Sequence, residues 1–211
     1  MALGPKRRSL TSPHVTGADL LIVRHGQSVW NARGIWQGTE DPPLSDLGWR
    51  QAEVAAAHLE DRFDEVWSSD LERAHHTAET LARSLGLVNV RVIADLRERF
   101  AGPWQGRTRD EIEDRWPGWL EAGRRPDGFE TDEELTTRVV PALCAAATPV
   151  DGRRILVVAH GGVIISLDRY AGEEFHRYPN LTGRWFRLRE DGIEAGERVD
   201  LIPPSIDLGL E

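Results

Sequence analysis

Two histidines, two arginines and a glutamate fall at positions in this 211-residue chain that suit work on a phosphate group. Arg24-His25-Gly26 directly follows the apolar run Leu20-Leu21-Ile22-Val23, and His160-Gly161-Gly162 directly follows Ile155-Leu156-Val157-Val158-Ala159. Arg73 lies in the first turn of a helical stretch after Val66-Trp67-Ser68, and Glu98 follows the run Val90 to Ile93. A phosphate dianion needs cationic partners with several donors, and the arginine guanidinium offers a planar fork of them. A neutral imidazole nitrogen can attack phosphorus and hold the group covalently, which splits one difficult step into two. A carboxylic acid can then protonate the departing oxygen. Taken singly, each residue has a plain alternative: a packed core histidine, a surface helix arginine, a solvated loop carboxylate. Their common placement after four strand-like runs is what points to phosphoryl chemistry.

The elements that must position them follow from the pattern of the chain. Short apolar runs alternate with helical stretches. Ser45 to Glu60 reads as a helix, as does the stretch opened by Ser69-Asp70-Leu71-Glu72 and running to Leu85, with Gly86 as its stop. Thr108-Arg109-Asp110-Glu111 and Thr131-Asp132-Glu133-Glu134 read as two further capping boxes, the second opening a helix that Pro141 should kink. A short helix is expected after His160, then strands near Trp185 to Leu188 and Arg198 to Ile202. Continuous apolar strands alternating with helices predict an α/β fold with a mostly parallel sheet covered on both faces. Ligands of such sheets bind beyond the carboxyl ends of the strands, where all five residues stand.

Bulk properties narrow the partners. The formal charge is -9, so the surface should repel nucleic acid and anionic membrane, and the basic run Lys6-Arg7-Arg8 is confined to a tail. Residues 1–18 read as a flexible tail and residues 19–211 as one catalytic domain. No stretch is apolar enough to span a bilayer, and the cytoplasm is the expected compartment. Cys144, the sole cysteine, sits in a small apolar helical run and reads as an inert, packed thiol.

The motifs extend well beyond the five residues. Leu21-Ile22-Val23-Arg24-His25-Gly26-Gln27-Ser28-Val29-Trp30-Asn31 is followed by Gln37-Gly38, Pro43-Leu44-Ser45, Ser68-Ser69-Asp70-Leu71-Glu72-Arg73-Ala74, Leu96-Arg97-Glu98 and Val157-Val158-Ala159-His160-Gly161-Gly162. In this order and at this spacing the chain resembles the histidine phosphatase superfamily, the phosphoglycerate-mutase-like family. The resemblance implies a three-layer α/β/α sandwich and no metal or other cofactor. It implies His25 as phosphorylated nucleophile, Glu98 as proton donor, and Arg24, Arg73, Asn31 and His160 as the phosphate pocket. A zinc hydrolase built on His25, His160 and His75 or His76 has no supporting ligand spacing. His58, His14 and His176 read as helix surface, tail and loop.

The family contains phosphatases and mutases. Arg124-Arg125 and Thr182-Gly183 look mutase-like. Residues 107–138, with ten acidic residues against six arginines, look less suited to closing over a second anion. The expected function is hydrolysis of small phosphomonoesters, with a phosphomutase and a non-catalytic phospho-ligand binder as alternatives. The expected partner is a small-molecule substrate, with a homodimer left open. Two departures concern the pocket rim: Asp127-Gly128-Phe129-Glu130-Thr131 replaces the usual Gly-Glu-Ser, and the apolar run Val163 to Leu167 meets Asp168 and Arg169. Trp30 and Trp104 are candidates for pocket walls, and Trp116 and Trp119 for a lid.

Overall fold

A computed structural model describes residues 17–59, 62–147, 152–189 and 192–206. His14, Glu60 and all but the last two residues of the expected tail lie outside them. In chain order the elements are β1 (Asp19–Arg24), α1 (Val29–Ala32), α2 (Asp46–His58), β2 (Glu65–Ser68), α3 (Glu72–Ser84), β3 (Val90–Val92), α4 (Arg109–Arg115), α5 (Asp132–Ala147), β4 (Arg154–Ala159), α6 (Gly161–Tyr170), β5 (Thr182–Arg189) and β6 (Gly192–Asp200). The strands form one sheet in the order β3-β2-β4-β1-β5-β6. The β3–β2, β2–β4 and β4–β1 pairs are parallel, and β1–β5 and β5–β6 are antiparallel.

The continuous apolar strands are explained by the two cores. Along β1, Leu20 and Ile22 enter one hydrophobic cluster with Leu135, Val139 and Leu143 of α5 and Val163, Ile164 and Leu167 of α6. Leu21 and Val23 enter a second cluster with Ala55 of α2 and Ala74, Ala78 and Leu81 of α3. Successive side chains point to opposite faces of a strand. A strand covered on both sides must therefore be apolar at every position, and the result is the expected three-layer sandwich. A third, smaller cluster of Ala101, Trp104, Ile112 and Phe129 packs under the segment between Glu98 and α5.

One local expectation needs correction. The Ser69-Asp70-Leu71-Glu72 capping box does not form. Leu71 is the N-cap of α3 with no side-chain cap; Asp70 is drawn into a bidentate pair with Arg97, and the Glu72 amide donates instead to Asp41 Oδ1 at 2.8 Å. A partner distant in sequence has replaced the local one. The charged residues that follow the apolar run Val163 to Leu167 are accommodated within the helix: α6 runs through Asp168 and Arg169 to Tyr170. Asp168 is fully buried because Arg184 and the Tyr178 hydroxyl satisfy it. α5 spans Asp132–Ala147 with Pro141 in its interior. The capping boxes at Thr108 and Thr131 both form. Cys144 is half-buried against the first core, and burial pushes its thiol up from the ordinary range. No helix among the described residues is long and apolar enough to cross a membrane.

Candidate active site

The register of β1 on β4 pairs Arg24 with Ala159, so the chain delivers His25 and His160 side by side at the carboxyl edge of the sheet. The His25 amide donates to the Ala159 carbonyl at 3.1 Å, extending the ladder by one bond. The two imidazole rings meet edge to face with centroids 5.1 Å apart. His25 is 2% exposed, and Arg73 and His160 are fully buried.

The tautomer of His25 is dictated by its neighbours. Its Nδ1 lies 2.6 Å from the Gly26 carbonyl oxygen, which can only accept, so Nδ1 carries the proton. The lone pair is left on Nε2, which accepts from Arg73 Nε at 3.2 Å. Burial first, then Arg73 and Arg24, hold the His25 imidazolium well below the ordinary histidine range. Burial, Arg73 and the neighbouring His25 do the same to His160. Both rings are therefore neutral near pH 7. His160 Nδ1 and Nε2 are buried with no hydrogen-bond partner, a cost that a phosphate oxygen in the pocket would relieve.

Arg73 is held rigidly. Its Nη1 donates to the Glu40 carbonyl at 2.7 Å and its Nη2 to the Gly38 carbonyl at 3.1 Å. Burial lowers its pKa to about 10, with Glu98 and Asp41 opposing, so it stays cationic at neutral pH. Arg24 is oriented by the Tyr178 carbonyl, which accepts from its Nη1 at 2.9 Å. Glu98 accepts from the Gly162 amide at 3.0 Å on one oxygen and from the Arg99 amide at 2.8 Å on the other. That approach explains the second glycine of His160-Gly161-Gly162, since a Cβ on Gly162 would stand 2.0 Å from Glu98 Oε1. Arg99 itself reaches Asp132, Ser166 and the Gly162 carbonyl, tying the Glu98 loop to α5 and α6. Burial pushes the Asp132 carboxyl up, but hydrogen bonds from Arg99, Ser166 and Arg169 outweigh it and hold the group at about 2.

Arg24, His25, Asn31, Arg73, Glu98 and His160 are thus gathered at one edge. The combination offers a neutral imidazole, fixed cations and a carboxyl group, which is what phosphoryl transfer through a covalent histidine would use. The family model of the histidine phosphatase superfamily (branch 1) matches residues 20–193. The chain belongs to that superfamily. Among its relatives, phosphoglycerate mutase-like protein 4 of Arabidopsis thaliana is 38% identical over 84% of this chain and 82% of that one. The metal-independent phosphoserine phosphatase of the same plant is 36% identical over 69% and 65%. A 2,3-bisphosphoglycerate-dependent phosphoglycerate mutase of Methylobacterium radiotolerans is 34% identical over 90% and 98%. The solved structure of a mycobacterial glucosyl-3-phosphoglycerate phosphatase with VO3 superposes with a TM-score of 0.76 at 31% identity, covering 84% of this chain and 96% of that one.

Other residues singled out by the sequence fall elsewhere. His75 is placed between Ser68 Oγ at 3.1 Å and Glu79 at 3.5 Å, and His76 stacks on Trp49. Among the described residues no group of three or more His, Cys, Asp or Glu is arranged to hold a metal ion. Trp104 is fully buried against Trp36 and Phe129 in the third cluster. Trp116 and Trp119 pack half-buried on the same cluster. Arg124 lies over Trp119 and Arg125 over Trp104 and Phe129.

The sequence reading missed the segment before β5. The Tyr178 carbonyl grips Arg24, the Asn180 side chain donates to the His25 carbonyl at 2.8 Å, and the Leu181 amide donates to the Arg24 carbonyl at 3.0 Å. Nothing periodic marks these residues. The one available signal is their position, just ahead of a strand that must lie beside β1.

Proposed function

We propose that this chain is a metal-independent phosphatase that hydrolyses small phosphomonoesters through a phosphohistidine on His25. The observation that carries the reading is the His25 tautomer. Nδ1 is held by the Gly26 carbonyl, and the Nε2 lone pair lies in a buried pocket beside Arg73. In the first step Nε2 forms a bond to phosphorus as the bond from phosphorus to the ester oxygen breaks, and the departing oxygen takes a proton from Glu98. In the second step a water oxygen attacks phosphorus, Glu98 takes the water proton, and the N–P electron pair returns to Nε2. Arg24, Arg73, Asn31 and His160 bind the phosphoryl oxygens throughout. A carboxylate-bearing substrate is in keeping with the relatives, which include a phosphoserine phosphatase and a glucosyl-3-phosphoglycerate phosphatase.

Rapid-quench labelling tests the nucleophile. An acid-labile, base-stable phosphoryl group should appear on His25, and His25→Ala should lower turnover by roughly three or more orders of magnitude. Label on another residue would overturn the assignment. Activity should also survive exhaustive chelation.

A mutase is the second reading, favoured by the bisphosphoglycerate-dependent relatives and by the Arg124-Arg125 pair. In this structure Arg124 and Arg125 rest on aromatic rings of the third cluster. That placement favours the phosphatase. Supplying 3-phosphoglycerate with and without 2,3-bisphosphoglycerate separates the two: net release of phosphate is expected, whereas fast isomer formation with negligible phosphate release would establish the mutase.

A further inference from the structure

We infer that Asn180 is a positioning residue of the phosphate pocket, acting through the His25 main chain and the Asn31 amide. The inference rests on the reading of His25 and Asn31 as pocket residues. Asn180 Nδ2 donates to the His25 carbonyl at 2.8 Å and lies 3.4 Å from Asn31 Oδ1. Asn31 Oδ1 also accepts from the Ser28 amide at 3.3 Å.

These contacts fix both amides without ambiguity. The His25 carbonyl can only accept, so the nitrogen of Asn180 must face it. The Ser28 amide can only donate, so the oxygen of Asn31 must face it. Asn180 adds a second donor on that same oxygen. The Asn31 Nδ2 group is consequently left with both hydrogens for another acceptor, and a phosphoryl oxygen is the acceptor the site is built to receive. Were Asn31 to flip, its NH2 would face the Ser28 amide and the Asn180 NH2, and a donor at this wall would be replaced by a repelling carbonyl. Asn31 is braced further by its place in α1, where its own amide donates to Ser28 Oγ at 3.0 Å.

The backbone around Asn180 shows that its placement is over-determined. Leu181 is the one non-glycine residue with positive φ, at 57°, among the described residues. A leucine holds that conformation only where surrounding contacts impose it. Here they are the Leu181 amide to the Arg24 carbonyl and the Leu201 amide to the Leu181 carbonyl, each at 3.0 Å, together with the complete burial of the Leu181 side chain. The left-handed turn seats Asn180 over the His25 carbonyl. The segment from Tyr178 to Leu181 therefore grips the Arg24-His25 pair from the antiparallel side of the sheet.

The test is a double-mutant cycle read by calorimetric binding of orthovanadate and by steady-state hydrolysis of an aryl phosphate. Asn180→Ala and Asn31→Ala should each weaken vanadate binding and lower kcat/KM about 10- to 100-fold, the usual range for loss of a supporting hydrogen bond. The double variant should lose at least fivefold less than the product of the two single losses, because Asn180 has less to orient once Asn31 is gone. Asn180→Ser, too short to reach both acceptors, should behave like the alanine variant and guards against a folding failure of the latter. Strict additivity, or wild-type binding by Asn180→Ser, would overturn the inference while leaving the pocket intact. Failure of the wild-type chain to bind vanadate at all would overturn the pocket reading and the inference with it.

Discussion

At Glu98 two backbone amides orient the carboxylate that we propose as the proton donor. Gly162 and Arg99 each donate to one carboxylate oxygen, and the group lies close enough to Gly162 that no side chain fits there. A proton donor matters most when the leaving oxygen is a poor leaving group. Glu98→Gln should therefore slow alkyl phosphates by roughly 100-fold or more relative to aryl phosphates, which depart without help. Equal losses for both would contradict the assignment. Gly162→Ala should reproduce the same selectivity by pushing Glu98 aside, since its Cβ would meet the carboxylate at 2.0 Å. At this scale the sequence was informative. Types and placement singled out five residues, Arg24, His25, Arg73, Glu98 and His160, because each stands within a few residues of a strand end and the register of parallel strands carries it to one edge; Asn31 came from the family resemblance alone. Asn180, Tyr178 and Asp168 were not visible in that way. Their roles depend on main-chain and buried contacts across more than 140 residues for Arg24 and His25, and no local pattern encodes them.

Elements are tied to the site by charges buried far from solvent. Asp168 of α6, fully buried, accepts from the Tyr178 hydroxyl at 2.7 Å and from Arg184 Nη1 of β5 at 3.0 Å. Arg184 also pairs with Glu173 at 2.9 Å. Burial first, and then the bond to Asp168, raise the Tyr178 phenol to about 12, so it remains a donor throughout the working range. In the sequence Asp168 breaks the apolar run of the helix; in the fold, tertiary pairing makes the same charge a link between α6 and the antiparallel edge. Removing one member of a buried ion pair leaves the other unpaired, which costs about 3–5 kcal/mol. Because Glu173 remains for Arg184, Asp168→Ala should fall at the lower end, about 3 kcal/mol, by urea denaturation. It should also raise KM for phosphomonoesters, because the Tyr178 carbonyl would hold Arg24 less firmly. A variant with unchanged stability would show that the link carries no energy. The same logic explains why the α3 capping box misled: four residues fit the local motif, but Asp41 and Arg97, brought in by the fold, make stronger partners.

For the molecule as a whole, the pocket is a region of unfavourable electrostatics that the rest of the fold sustains. Two histidines and two arginines are packed together, and burial together with Arg73 and Arg24 depresses both histidines well below the ordinary value. The linkage has a definite sign. A folded state that keeps these rings neutral binds fewer protons than the unfolded chain, whose histidines titrate near about 6.5. Stability from this source is complete above about pH 6.5 and is lost as pH falls below it. The slope is at most about 1.4 kcal/mol per pH unit for each ring. Between pH 6.5 and 5, above the range where Asp132 at about 2 takes part, urea midpoints should therefore fall steadily, and above pH 7 this source should add no further slope. His160→Asn should flatten the acid-side slope by about half, since an amide cannot take up the proton. If the pocket binds phosphate as proposed, orthophosphate should shift the entire wild-type curve upward by mass action, since the unfolded chain has no such site. An acid-side slope unchanged in His160→Asn would show that the buried ring is not the source of the acid sensitivity.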